Sequence, residues 1–237
     1  MVRGLLGKKI GMTQIFDKDG NLVPVTIVEV GPCRIVGLID APYKRVKVGY
    51  DPIKEFRTSK PQLGFFKKVG VAPMRYIREI ESTDNANYQL GQELKADVFK
   101  AGDFVNVSGI SIGKGFQGGM KRWHWKGGDA SHGSMHHRRV GSISSSSDPS
   151  RVYKGRTMPG HMGDQKVLIE NLRVMKVDFD HNLILVNGAV PGKKNALLTI
   201  TISKKKVFRS LDEQKVIHEV KRNPMKQSKA KAAGKGK

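Results

Sequence analysis

Residues 21–30 (NLVPVTIVEV) alternate apolar and polar positions through a run rich in β-branched side chains, just after a turn signalled by DKDG at residues 17–20. A period of two predicts a half-buried strand, because successive side chains point to opposite faces. Pro24 lacks an amide donor, which places that run at a sheet edge, a bulge or a strand start. Residues 34–39, 45–50, 76–80, 103–107, 166–177, 183–186 and 197–202 carry comparable short runs and are read as strands as well. Between them, residues 51–75 are basic and punctuated by Pro, with one short helix expected around residues 64–68. Short strands at close spacing favour a barrel or sandwich over a doubly wound sheet. The expected fold class is mainly β.

That patterning stops between residues 113 and 163. The stretch holds nine Lys/Arg against two Asp, five of the seven histidines and both tryptophans, with Gly and Ser filling most of the rest. Such a segment cannot bury enough apolar surface to order itself alone, and its composition suits a polyanion that orders it on binding. Because strands lie on both sides of it, the core must close from residues 1–112 and 164–203, with 113–163 pushed out as an arm. From residue 204 onward the chain carries twelve Lys/Arg and three acids. A helical turn or two fits residues 210–220, but the end, NPMKQSKAKAAGKGK, is low in complexity and expected to be disordered. RNA contact is the favoured role for this basic tail.

Charge narrows the partner. The formal charge of +22 points to nucleic acid. No run approaches the ~18 consecutive apolar residues of a spanning helix, and no basic helix with a broad apolar face suggests a membrane surface. Apolar residues make up 38% of the chain, and the shortfall from the usual ~45–50% lies mainly in the arm and tail. The single cysteine, Cys33, excludes an intramolecular disulfide and fits a reducing compartment. Its setting, VGPCRIVGLI, reads as a small buried thiol rather than a reactive one. The N-terminus, MVRGLLGKKIGMTQIF, shows neither the apolar region nor the cleavage site of a secretory signal.

Three catalytic readings of the arm fail on their own requirements. GKGFQG at residues 113–118 matches a dinucleotide-binding glycine pattern, but MKRWHWKGGDASHGS after it is neither an amphipathic helix nor a βαβ unit. His132, His136 and His137, with His124 and His161, suggest a metal site, yet no Cys or Glu lies among them and Gly133 weakens the helix that a zinc motif needs. The serine run at residues 144–147 has a histidine nearby but neither an orienting third group nor a sharp nucleophile turn. No enzyme, no cofactor and no protein-held metal is expected; any structural Mg2+ would belong to a bound RNA.

As a nucleic-acid surface the same residues make sense. Lys114, Lys121, Arg122, Lys126, Arg138, Arg139, Arg151, Lys154 and Arg156 can neutralise phosphates. Trp123, Trp125 and Tyr153 can stack on bases, as can Phe116, for which core packing is the rival role. For the two tryptophans, nucleic-acid contact or packing within the arm is favoured over the core.

GKKIGMTQIF at residues 7–16, KGFQGGMKRWHWKGGDASHGS at 114–134, HRRVGSI at 137–143, SRVYKGRTMPGHMG at 150–163 and NLILVNGAVPG at 182–192 resemble the bacterial-type ribosomal protein L-three family. The resemblance runs over residues 1–202 and leaves out the tail. It implies a six-stranded β-barrel of the translation-protein type with a long irregular central extension. It also implies binding of large-subunit (23S-type) rRNA near its 3′ end, an early role in subunit assembly, and an arm reaching towards the peptidyl transferase centre. Residues 141–150 (GSISSSSDPS) would form the tip, with Arg138 and Arg139 on the approach and Lys154 and Arg156 on the return. Many members carry a methylated glutamine just after the Gly-Ser-Ile of the tip. Here Ser144 and its successors occupy that place, and neither Gln117 nor Gln165 does, so no such methylation is expected.

The candidate rRNA contacts are therefore Lys8 and Lys9 in the N-terminal motif, the nine arm cations, Trp123 and Trp125, His132, His136, His137 and His161, and Ser142, Ser144 and Ser145. Neighbouring large-subunit proteins are expected partners; a membrane and a homo-oligomer are not. The expected location is a ribosome of bacterial type in the cytoplasm, ahead of an organellar one. An architectural DNA-binding protein is the competing reading, and a metal- or nucleotide-dependent enzyme the third.

Overall fold

The computed structural model describes residues 1–17 and 19–211. Along the chain run β1 (Gly4–Phe16), β2 (Leu22–Val30), β3 (Cys33–Ile39), β4 (Arg45–Pro52), α1 (Lys60–Val69), β5 (Met74–Glu81), β6 (Glu93–Leu94) and β7 (Phe104–Ile110). There follow β8 (Gly115–Gln117), α2 (Gly119–Trp123), β9 (Gly160–Met162), β10 (Lys166–Asp178), β11 (Leu183–Asn187) and β12 (Leu197–Ile202). The structure is mainly β, as the alternation predicts.

Six strands pair antiparallel in the order β1-β12-β7-β10-β11-β2, and β2 pairs back to β1, so the sheet closes on itself. Three of these strands precede the arm and three follow it. Closure leaves no unpaired edge, and period-two patterning fills the interior. Val105 and Val107 of β7, Ile184 and Val186 of β11, and Leu198 and Ile200 of β12 are fully buried, while the residues between them are more exposed. Each such burial contributes about 1.5–3 kcal/mol. Pro24 lies just outside the β2 residues paired with β11, near the start of the strand, where its missing N–H breaks no ladder on that side.

β3 and β4, foreseen as strands, leave the ring. They join β5 and β6 in a second sheet, ordered β5-β4-β3-β6. One apolar cluster runs through both sheets, bringing Leu5, Leu6 and Val28 together with Ile35, Val46, Val48 and Ile80. On the other face α1 seats Phe66 against Val36, Val71 and Met74. This helix is longer than the expected 64–68. It accepts Pro61 in its first turn and ends at Gly70, whose φ of 73° is the left-handed conformation of a C-cap. Cys33 is buried as its neighbours foretell: its Sγ lies 3.5 Å from the Leu6 carbonyl, and burial pushes the thiol pKa up to about 12. It is a packing residue.

The beginning of the basic tail is tied to the body. Lys204 pairs with Glu81, and Lys205 Nζ lies 2.5 Å from Glu170 Oε2. Arg173 donates to the carbonyls of Arg209 and Ser210 at 3.1 and 2.8 Å. The helical turn foreseen over 210–220 and the low-complexity end lie outside the described residues, apart from Ser210 and Leu211.

Candidate nucleic-acid interface

The arm leaves from two neighbouring strands of the ring. β7 and β10 pair as far as Ile110 and Lys166, and the two limbs continue side by side beyond them. The Ser111 N–H donates to Gln165 O at 2.9 Å, and the Lys114 N–H to Met162 O at 2.8 Å. β8 and β9 then form a short ribbon with Phe116 opposite His161. A Gly-rich sequence with three-residue strands gives little apolar alternation, which is why this stem is not visible in the pattern.

Past the ribbon the limbs are held by side chains. α2 is a single short helix ending at His124, which takes the left-handed conformation at φ 59°. From it, Arg122 and the Trp123 indole N–H both donate to Met158 O on the returning limb, each at 2.8 Å. The Arg122 guanidinium also lies over the Trp123 ring, 4.9 Å from its centroid, a contact between a cation and the ring's negative face. Trp125 folds back onto Gly119, where any Cβ would collide with the indole. Both tryptophans thus pack within the arm, while Trp123 keeps 44% of its surface exposed.

Further out the backbone doubles over. The Gly128 N–H donates to His137 O at 3.0 Å, and His137 Nδ1 sits 2.9 Å from Asp129 O. At the distal end Ser142 Oγ donates to Ser144 O at 2.8 Å, and the Ser150 hydroxyl donates to Ser147 O. Arg156 ties the return limb to this turn by donating to Ser142 O at 2.7 Å. Arg151 lies over the Tyr153 ring at 5.1 Å.

Electrostatically the arm is one-sided. Among the described residues, the ion pairs join partners in the body or the start of the tail, and no Lys or Arg of residues 113–163 is in one. Nor do three His, Cys, Asp or Glu side chains come together as a metal site among those residues. What the arm offers is cations, ring faces and backbone groups on a scaffold braced by its own hydrogen bonds.

A sequence model described as ribosomal protein L3 matches residues 75–181, a span that contains the whole arm. Proteins named large ribosomal subunit protein uL3 match far more of the chain. That of Brachyspira hyodysenteriae is 47% identical over 206 residues, 86% of this chain and 95% of its own length. That of Acetivibrio thermocellus is 49% identical over 204 residues, covering 84% and 96%, and that of Desulfitobacterium hafniense 48% over 207, covering 86% and 97%. The chain belongs to the ribosomal protein L3 family.

Within this L3-family chain the foreseen residues fall into three groups. Lys114, Lys121, Lys126, Arg138, Arg139, Arg151 and Lys154 are exposed along the arm, with His132, His136, His137, His161, Ser144 and Ser145 among them. Arg122, Trp123, Trp125, Ser142 and Arg156 also build the arm's own scaffold. Lys8 and Lys9 stand apart: Lys8 Nζ is 3.0 Å from Asp51 Oδ1, and Lys9 Nζ donates to Val190 O at 3.0 Å and Gly192 O at 3.3 Å. Core packing does not hold for Phe116, which is 76% exposed because its short strand lies on the ribbon, away from the ring interior. One arm-like pair was not foreseen. Phe56 is 78% exposed with Arg57 over its ring at 5.5 Å, and the basic, Pro-punctuated composition of residues 51–75 was its only signal.

Proposed function

We propose that this chain, a structural constituent of the large ribosomal subunit rather than an enzyme, binds large-subunit (23S-type) rRNA near its 3′ end through residues 113–163. The closed ring is the translation-protein-type barrel that anchors it beside neighbouring subunit proteins. From there the arm reaches towards the peptidyl transferase centre and braces RNA that folds around it early in assembly. Its place is the ribosome of a bacterial cytoplasm, as its relatives from bacteria support. No cofactor is needed: phosphate neutralisation and base stacking supply the binding.

The observation that carries this reading is the charge pattern of the arm. Nine Lys/Arg stand on a slender, twice-crossed extension without an ion-paired carboxylate among the described residues. Uncompensated like charges repel one another, and a phosphate backbone relieves that repulsion while releasing its own counterions.

Deleting residues 121–156 tests it. The shortened chain keeps both strands of the ribbon and should still unfold cooperatively, yet it should lose most of its rRNA affinity and fail to support maturation of large subunits. Subunits that mature normally with the shortened chain would overturn the bracing role. Equal affinity of the intact chain for duplex DNA and for the rRNA fragment would overturn RNA as the partner.

A further inference from the structure

Where the arm doubles over, three passes of chain enclose a cleft of about 320 Å3. Trp125 and Lys126 come from the outgoing limb, His136, Arg139 and Val140 from the turn, and Arg156 from the return. Every charged group in the lining is cationic. Two other clefts differ. The one beside α1 sets Glu55 against Lys67, and the one between the sheets sets Glu79, Glu81 and Glu170 against Arg3, Lys204 and Lys205. The arm cleft alone of these three combines an aromatic wall with unopposed positive charge.

We infer that this cleft receives a single unstacked nucleotide of the bound RNA, its base against Trp125 and its phosphate against Arg139, Arg156 and Lys126. The inference rests on the proposed rRNA-binding role and goes beyond it by assigning one place in the arm to one nucleotide. Size sets the limit. A volume at the low end of the ~300–1,000 Å3 range of small-ligand sites accommodates one nucleotide and not a stacked run. Geometry supplies the preorganisation. The Trp125 ring is fixed by its contact with Gly119, and the Arg156 guanidinium by its 2.7 Å bond to Ser142 O. Only part of that guanidinium is engaged, so the rest of its donor fork stays free for an anion. RNA loops present such bases readily, splayed from the stack and taken up on aromatic or guanidinium planes.

The test fills the cleft without disturbing its wall. Gly141 lines the cleft, its backbone is outside the left-handed region, and an added Cβ meets nothing nearer than His136 Nε2 at 3.8 Å. A leucine there projects into the space and leaves the contact between Trp125 and Gly119 intact. Affinity of the full chain for a large-subunit rRNA fragment is measured for the wild type, Gly141→Leu, Trp125→Ala and Trp125→Phe. Loss of one base–aromatic stack predicts a fall of at least about five-fold for Gly141→Leu and Trp125→Ala, with Trp125→Phe close to wild type. Wild-type affinity for Gly141→Leu overturns the inference, even if Trp125→Ala binds weakly, because Trp125 would then act only as scaffold. A wild-type chain that does not prefer the rRNA fragment to duplex DNA instead removes the rRNA-binding reading itself.

Discussion

Around the ring and its companion sheet, cations face carboxylates: Arg34 meets Glu93 at 2.6 Å, Lys44 meets Asp84 at 3.0 Å and Arg45 meets Glu79 at 3.2 Å. Along the arm no cation has a carboxylate partner among the described residues, and Arg122 lies over Trp123 and donates to Met158 O. Exposed ion pairs are each worth only about 0–1 kcal/mol, so the body's pairs do not hold it together. They offset part of its positive charge locally. Its stability comes from the valines, leucines and isoleucines inside, whereas the arm has almost no buried apolar residue and uses its polar groups for bracing. One region pairs many of its cations with carboxylates, while the other leaves its cations without carboxylate partners among the described residues.

The sharpest way to break this contrast is to hollow the body. Phe99 is among the largest fully buried side chains of the core, and Phe99→Ala should cost about 3–5 kcal/mol in urea unfolding. A cost near zero would mean that the interior is not what stabilises the protein. The reciprocal change in the arm is Arg138→Ala with Arg139→Ala. It should leave the unfolding free energy within about 0.5 kcal/mol of wild type. Titrated against salt, rRNA binding should weaken, and the logarithmic slope should become shallower by roughly 0.7–0.9 for each phosphate that is no longer neutralised. An unchanged slope would show that these two cations do not meet phosphates.

The smallest effect concerns acid. The hydrogen bond and charge of Lys204 hold the exposed Glu81 carboxyl below its ordinary value. A group whose pKa is lowered by folding contributes stability above its unfolded pKa and loses that contribution as pH falls through the folded one. Thermal midpoints of wild type and Lys204→Ala should therefore differ slightly at neutral pH and converge in strong acid. Divergence towards low pH would reverse the assignment.

Much of this body is legible from alternation alone, because a strand with one buried face advertises its period. β2, β5, β7, β10, β11 and β12 are visible that way. Alternation says which face is buried and not which strand lies alongside, so the departure of β3 and β4 into a second sheet is hidden. The register shifts of β10 between Ile169 and Leu172 and between Val174 and Lys176 are hidden too, since they depend on how its two neighbours pair with it. In the arm, composition reveals the excess of positive charge but not the architecture. Nothing in GGMKRWHW announces that Gly119 makes room for Trp125, or that Trp123 hooks the opposite limb. Lys8 and Lys9 look like free cations in sequence, yet Asp51 claims the first and two carbonyls far along the chain, at Val190 and Gly192, claim the second. Long-range partners of that kind leave no local trace.

The ring is closed by β12 lying against β1, with Gly4 beside Thr201. Pairings between the two ends of a chain form late, since nearly everything between them must exist first. In a chain growing from its N-terminus, residues 113–163 are present while β10, β11 and β12 are still to be made. The cationic segment is thus complete when only three of the six ring strands exist. On the proposed function, the arm's cations are available to RNA before the ring behind them is sealed.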